Sequence, residues 1–191
     1  SCAEKMGYPV VMKIVSKDII HKSDAGGVAL DLENRDEIIT AYEAIMHSVR
    51  AYKPDAVIQG VEISEMVKAE IETIVAARRD RSFGNTVMFG LGGIYVEVMQ
   101  DVVFRSFPLS RNEALNMISQ IRVYPLLLGV RGEQRKDIEA VADTIIRIGT
   151  ILQKCPDISD LELNPLGVFS QGEGVKAVDV RILLSKVQEA H

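Results

Sequence analysis

Strand-like runs stand side by side in this chain, and few helical stretches separate them. Residues 10–15 form a β-branched run closed by polar residues, and 28–32 alternate apolar with polar. Residues 56–67 and 70–78 are both rich in Val and Ile, and only Lys68-Ala69 lies between them. So short a connection predicts that these two runs pair antiparallel. Short strands are expected at 86–89, 95–99 and 102–107. A closing hairpin is expected from 158–169 and 175–184 around a turn at 170–174. Adjacent strands favour an α+β fold with antiparallel sheets over a doubly wound parallel sheet, in which helices would alternate with strands.

The helices announce themselves by period. Ile38, Ile39, Tyr42, Ile45, Met46 and Val49 recur at three- and four-residue spacing over 35–52, with Asn34 and Glu37 placed to cap the start. Residues 110–120 begin with the capping-box spacing of Ser110 and Glu113. Residues 135–154 carry the stripe Ile138, Val141, Ala142, Ile145, Ile148, Ile151 and Leu152, and Pro156 follows. A subdomain boundary is expected near Tyr52–Ala56, dividing 1–55 from 56–191. Residues 1–6 read as the tail of a helix that Gly7-Tyr8-Pro9 stops, so the chain is expected to begin part-way into its architecture.

Bulk properties narrow the function classes. The 191 residues carry a net charge of −5, contain no Trp, and show no basic run interleaved with aromatics, which argues against a nucleic-acid surface. Cys2 and Cys155 stand far apart in no metal-ligand spacing, as expected in a reducing cytoplasm. The longest apolar run, 125–130, is far too short to cross a bilayer, and the first residues do not read as a signal peptide.

Several stretches could carry chemistry, and each also has a plainer reading. Lys13 interrupts an apolar strand, either as a phosphate clamp or as an outward lysine on a half-exposed strand. His21-Lys22-Ser23-Asp24-Ala25-Gly26-Gly27 offers an imidazole that can accept a phosphoryl group, a carboxylate to hold its other nitrogen, and glycine N–H groups for an anion. The same stretch could be a solvated surface loop. Gly90-Leu91-Gly92-Gly93 lacks the Lys and Ser/Thr of a P-loop and suits a tight turn between strands. Asp160, Glu162 and Asn164 alternate along one strand, as do Asp179 and Arg181 along the next. Oxygen ligands on adjacent strands suit Mg²⁺ with a nucleotide, but a solvent-facing hairpin would show the same pattern.

In order and spacing, these stretches resemble the nucleotide-binding β subunit of ADP-forming acetyl-CoA synthetases, relatives of succinyl-CoA synthetases and other ATP-grasp ligases. The resemblance runs from Gly7-Tyr8-Pro9-Val10-Val11-Met12-Lys13 to Ala177-Val178-Asp179-Val180-Arg181. It includes His21 to Val28, Phe89-Gly90-Leu91-Gly92-Gly93 with Glu97, Leu127 to Gly132 with Asp137, and Glu162-Leu163-Asn164-Pro165-Leu166. Ala76, Arg81 and Asn85 depart from the glycine or proline expected near the Arg79-Asp80 turn.

The resemblance implies an ATP-grasp fold whose first strand and helix are missing, with a partial N-terminal subdomain in 1–55 and a C-terminal one in 56–191. It implies that Lys13, Gly26 and Gly27 contact nucleotide phosphates, and that Glu65, Met66 and Val67 form the hinge that reads adenine, Glu65 through its side chain or backbone. It implies Asn164 and Asp179 as Mg²⁺ ligands with Glu162 nearby, and His21 as a phosphohistidine, its ring oriented by Asp24 or Glu97. ATP and ADP would be substrates, and a CoA-binding α subunit or fused domain would complete a hetero-oligomer. A succinyl-CoA-type ligase, a carboxylate–amine ATP-grasp ligase and a non-catalytic nucleotide sensor are the alternatives.

Overall fold

The computed structural model describes residues 2–93, 100–130 and 132–185. The chain divides into two compact units, Ser1–Met66 and Val67–His191. In the first unit, α1 (Cys2–Met6) leads into β1 (Val10–Ser16), then β2 (Val28–Leu32), α2 (Arg35–Tyr52) and β3 (Ile58–Glu65). The sheet order is β2-β1-β3, antiparallel throughout. Val10, Met12 and Ile14 of β1 pack with Ile45 and Val49 of α2 to form its core. The helix starts where its cap requires: the Asn34 side chain accepts from the Glu37 N–H at 2.9 Å, and the Glu37 carboxylate accepts from the Glu33 N–H at 2.7 Å.

The second unit holds β4 (Ile71–Asp80), β5 (Gly84–Leu91), β6 (Val102–Ser106), α3 (Arg111–Ser119), α4 (Tyr124–Leu127), α5 (Ile138–Lys154), β7 (Ile158–Val168), β8 (Val175–Ala177) and β9 (Val180–Leu184). Its six-stranded sheet runs β6-β5-β4-β7-β8, and β9 also pairs with β7. One face is covered by α3 and α5. Val141, Ala142, Ile145 and Leu152 of α5 bury against Val75 and Ala77 of β4, Phe89 of β5, and Leu161 and Leu163 of β7. Period-2 strands and a period-3.6 helix meet here on their apolar sides, which is why this face becomes the core. The capping box of Ser110 and Glu113 is present, and its backbone bonds hold the Glu113 carboxyl below the usual range.

Four expectations need correction. Residues 56–67 and 70–78 do not form a hairpin. β3 pairs with β1 along its whole length, from Val10 opposite Glu65 to Ser16 opposite Ile58, whereas β4 pairs with β5 and β7. The short link between them joins two units, and it has no Asn-Gly or Asp-Gly turn to fold it back. For the same reason the compact units part after Met66, beyond the boundary expected near Tyr52–Ala56. Ile151 is 43% exposed, because α5 turns Ile148 and Leu152 inward and leaves Ile151 off the buried stripe. The α5 helix also starts later than residue 135, at Ile138 after its cap Asp137. The strand expected over 95–99 lies outside the described residues.

The β4–β5 turn forms despite its departures from glycine and proline. Asp80 accepts from the N–H groups of Ser82 and Phe83 at 2.7 and 2.9 Å, and Gly84 takes the left-handed φ of +72°. Those two backbone bonds hold the Asp80 carboxyl below its ordinary range. Arg79 reaches from this hairpin to the carbonyls of Leu152 and Cys155 at the end of α5, supplying donors to acceptors that the helix cannot pair itself.

Asp137 ties the start of α5 to the β7–β8 turn. Its carboxylate is 8% exposed and accepts from the Ala140 N–H at 3.1 Å, the Gly172 N–H at 2.9 Å and the Gly174 N–H at 3.0 Å. Asp137→Ala leaves all three donors without this acceptor, and the expected loss is about 3 kcal/mol in equilibrium denaturant unfolding. A loss below about 1 kcal/mol would show that the three bonds do not organise this corner.

Candidate functional site

The candidate residues fall in both units, so each set is taken within its own unit. Lys13 sits on the central strand of the first sheet, opposite Val28 on β2 and Glu62 on β3. It is half-buried between the buried Met12 and Ile14, so strand alternation turns it away from the α2 core. This placement is compatible with either reading of Lys13, and Glu62 is its partner across the β1–β3 ladder.

The loop after β1 is tightly knitted. The Gly27 N–H donates to the Lys22 carbonyl at 2.7 Å, the Gly26 N–H to the Ser23 carbonyl at 3.0 Å, and the Ala25 N–H to the His21 carbonyl at 3.3 Å. The N–H groups of Gly26 and Gly27 are thus engaged by carbonyls of the loop itself in this structure. The glycines answer a steric demand. A Cβ on Gly27 would lie 2.6 Å from Ile14 Cγ2, and Gly26 has a φ of +64° with Ser48 Cβ 2.9 Å from where its own Cβ would stand. His21 and Asp24 project from this frame as exposed side chains. Neither side chain makes a hydrogen bond among the described residues, so Asp24 does not hold the His21 ring in this structure. Glu97 lies outside the described residues.

Glu65 ends β3, and the Met66 N–H donates to the Pro9 carbonyl at 3.3 Å. The Met66 amide is thus taken by the sheet, while the Val67 N–H donates to no described residue. The Gly90–Gly93 stretch is also explained by packing. A Cβ on Gly92 would stand 2.4 Å from the Thr73 carbonyl oxygen, and the Gly92 N–H donates to the Glu72 carbonyl at 2.9 Å.

The second unit gathers its expected residues. The face of the sheet opposite the helices carries Arg78 on β4 and Asp160, Glu162 and Asn164 on β7, with Arg181 on β9. Glu162 stands across from Arg181, and their ion pair measures 2.6 Å. The Asn164 amide donates to Glu162 at 3.3 Å. The Asn164 N–H donates to the Asp179 carbonyl at 3.1 Å, so Asp179 lies opposite Asn164 in the gap between β8 and β9. Asp160, at 6% exposure, is held by Arg78 at 2.6 Å. A groove of about 550 Å³ runs along this face past Ala76, Arg78, Met88, Phe104, Asp160 and Glu162.

Alternation along β7 had placed Asp160, Glu162 and Asn164 on one face. The roles of Arg78 and Arg181 were not legible, because only the strand register puts each opposite its carboxylate. A second missed cluster is Lys136, which is 2% exposed and paired with Glu70. Ser170 also donates to Glu70, at 3.1 Å, and Lys136 foremost holds the Glu70 carboxyl below its usual range. Sequence reading had put Lys136 inside a helix, and no local signal marks it as buried.

The donor set suits Mg²⁺. Asn164 on β7 and Asp179 in the link before β9 offer hard oxygen atoms, with Glu162 beside Asn164. Among the described residues, no group of three or more His, Cys, Asp or Glu is placed to hold a metal. A site with few protein ligands is what Mg²⁺ with waters and phosphates requires, whereas an all-protein cage would need more.

Residues 1–184 match the ATP-grasp domain family. The chain belongs to the ATP-grasp family. It is 48% identical over 180 residues to the β subunit of acetate–CoA ligase [ADP-forming] I from Pyrococcus furiosus, covering 94% of this chain and 77% of that one. It also superimposes on acetyl-coenzyme A synthetase 1 of Ca. Korarchaeum cryptofilum, described as dinucleotide-forming, in complex with coenzyme A, Ca-AMPCP and HgCl⁺. The TM-score is 0.90 at 43% identity, over 95% of this chain and 79% of that one. A second structure of that enzyme holds coenzyme A and Mg-AMPPCP, with its phosphohistidine segment pointing towards the nucleotide-binding site. It matches at a TM-score of 0.82 and 40% identity, over 95% and 79% of the two chains. No described helix of this ATP-grasp chain is long and apolar enough to cross a membrane.

The knitted loop gives a direct test of the steric reading of Gly27. Gly27→Ala should cost about 1–3 kcal/mol in urea unfolding, since the added methyl must displace Ile14 or the Lys22 carbonyl. A loss under about 0.5 kcal/mol would show that the loop does not pack this way.

Proposed function

We propose that this chain is the nucleotide-binding half of an ADP-forming acyl-CoA synthetase. The reaction is acyl-CoA + ADP + phosphate to carboxylic acid + CoA + ATP, reversible in direction. The observation that carries the reading is the oxygen-rich edge of β7, where the Asn164 amide meets the Glu162 carboxylate and the Asn164 N–H donates to the Asp179 carbonyl just before β9. It is supported by similarity over 94% of this chain to a ligase β subunit and over 95% to a synthetase structure holding Mg-AMPPCP.

In this reading Asn164 and Asp179 hold Mg²⁺, which neutralises charge on the nucleotide phosphates when bound. Glu162 stands beside them, engaged by Arg181. Lys13 contacts nucleotide phosphates as a point charge, and the segment Glu65, Met66 and Val67 reads adenine, with the Val67 N–H, which has no acceptor among the described residues, as a backbone donor. Gly26 and Gly27 serve the site by shaping the loop that presents His21.

His21 is the phosphoryl carrier. Its unprotonated ring nitrogen attacks phosphorus, and an N–P bond forms as the donor's bond to phosphorus breaks. The other ring nitrogen keeps its proton throughout. A terminal phosphate oxygen of ADP then takes the phosphoryl group, the N–P bond breaks, and neutral imidazole returns. Such a carrier divides one long transfer into two shorter ones. Its exposure and the absence of a ring hydrogen bond among the described residues suit a side chain that must meet two partners. Asp24 and Glu97 remain candidates for orienting the ring at the moment of transfer.

A CoA-binding α subunit or fused domain supplies the acyl phosphate chemistry, giving a hetero-oligomer that works in a reducing cytoplasm. Two measurements test this reading. Asp179→Ala should weaken ADP binding with Mg²⁺ by about tenfold or more in titration calorimetry and leave metal-free binding nearly unchanged. Equal losses in both conditions would remove Asp179 from the metal site. The purified chain should make no ATP from acetyl-CoA, ADP and phosphate until a CoA-binding partner is added, and unaided turnover would contradict the division of labour.

A further inference from the structure

We propose that Arg181 is a positioning residue which fixes Glu162 and, through it, aims the amide oxygen of Asn164 at the cation. The inference rests on the reading above that Asn164 and Asp179 hold Mg²⁺. Arg181 Nη2 lies 2.6 Å from Glu162 Oε2, and Glu162 Oε1 accepts from Asn164 Nδ2 at 3.3 Å. One carboxylate therefore joins the guanidinium on one side to the amide on the other. The register Glu162 opposite Arg181 places the two directly across the β7–β9 ladder.

The consequence follows from what an asparagine can offer a hard cation. Only the amide oxygen can ligate, because the NH₂ group is a donor. While Nδ2 donates to Glu162, Oδ1 is turned the other way. The flipped amide would set its oxygen against the Glu162 carboxylate and present NH₂ to the metal. Glu162 thus selects the productive flip, provided its own oxygens are held. Arg181 holds one of them. Without it, the Glu162 carboxylate is free to rotate and to enter the cation's ligand set itself, which changes the site's charge and geometry.

The neighbouring guanidinium of Arg78 does not offer a substitute. Asp160 is already paired with Arg78 at 2.6 Å, so Arg78 is engaged one step along the same face. The Arg181 side chain is 50% exposed and that of Glu162 21%. A pair this open contributes little to folding stability, so removing it acts on site geometry more than on the fold. Lysine at 181 keeps the charge but replaces a planar fork by a single point donor.

The test uses the full-length protein, with ADP titrated calorimetrically in the presence of Mg²⁺ and again with EDTA. Arg181→Ala should lower ADP affinity about tenfold or more with Mg²⁺ and leave the EDTA value unchanged, the size expected when an outer-shell partner of a ligand is lost. Arg181→Lys should recover part of the loss. In a Glu162→Ala background, Arg181→Ala should add nothing, because the residue acts only through Glu162. The thermal midpoint should stay near that of the parent. Unchanged Mg²⁺-dependent affinity in Arg181→Ala overturns the proposal, as does an equal loss with EDTA or a full loss in the Glu162→Ala background. Asp179→Ala separates the two levels: if it abolishes Mg²⁺-dependent binding while Arg181→Ala does not, only the positioning role falls. If Asp179→Ala also has no effect, the metal reading falls with it.

Discussion

The register of β7 is the constraint on which the second unit depends. β7 pairs with β4 along one edge and with β8 and β9 along the other. Its inward residues Leu161, Leu163, Leu166 and Val168 are buried in the core, and Asp160, Glu162 and Asn164 stand on the opposite face. A slip of one residue would drive carboxylates into the core under α5 and lift leucines into water. Burial of this leucine-rich face therefore fixes where the polar groups stand. Folding energy and site geometry are set by the same pairing.

That coupling explains why a weak set of polar contacts can still be well placed. The exposed ion pair of Arg181 and Glu162 adds little stability by itself. Its geometry comes from strands held by hydrophobic burial elsewhere, where Ile145, Leu152 and Phe89 are fully enclosed. Rigid strands supply the precision that loops would not, and Glu162 and Asn164 take their positions from such a strand. The first unit uses a different device. The loop bearing His21 is anchored by backbone bonds at Lys22, Ser23 and Gly27 and by close packing of Gly27 on Ile14, so an exposed imidazole stands on an ordered base.

Local signals were legible in the sequence, and pairings across long distances were less so. The caps at Asn34 and Ser110 and the helices α2 and α5 follow from spacing within a few residues and appear where expected, although Ile39 and Tyr42 of α2, like Ile151 of α5, fall outside the buried stripe. The misread hairpin arose because β-pairing depends on partners far along the chain: β3 finds β1, and β4 finds β7 more than 80 residues away, as the Arg78–Asp160 bond shows. The shared face of Glu162 and Asn164 was legible because alternation is local. Arg78 opposite Asp160 was not, and neither was the buried Lys136 with Glu70, since both depend on register and tertiary packing. Gly26 and Gly27 were read as phosphate donors because glycine marks close approach of backbone. The approach is real, but the neighbours are Ile14, Lys22 and Ser48.

Of the roles proposed for this chain, that of His21 as phosphoryl carrier is the one on which the proposed reaction turns. The most direct measurement is to incubate the complete enzyme, partner included, with Mg²⁺ and ATP labelled at the γ-phosphate, then map acid-labile label by mass spectrometry. Label is expected on His21, lost in His21→Asn together with turnover. Label that never maps to residues 21–27, or near-native turnover by His21→Asn, would contradict that role.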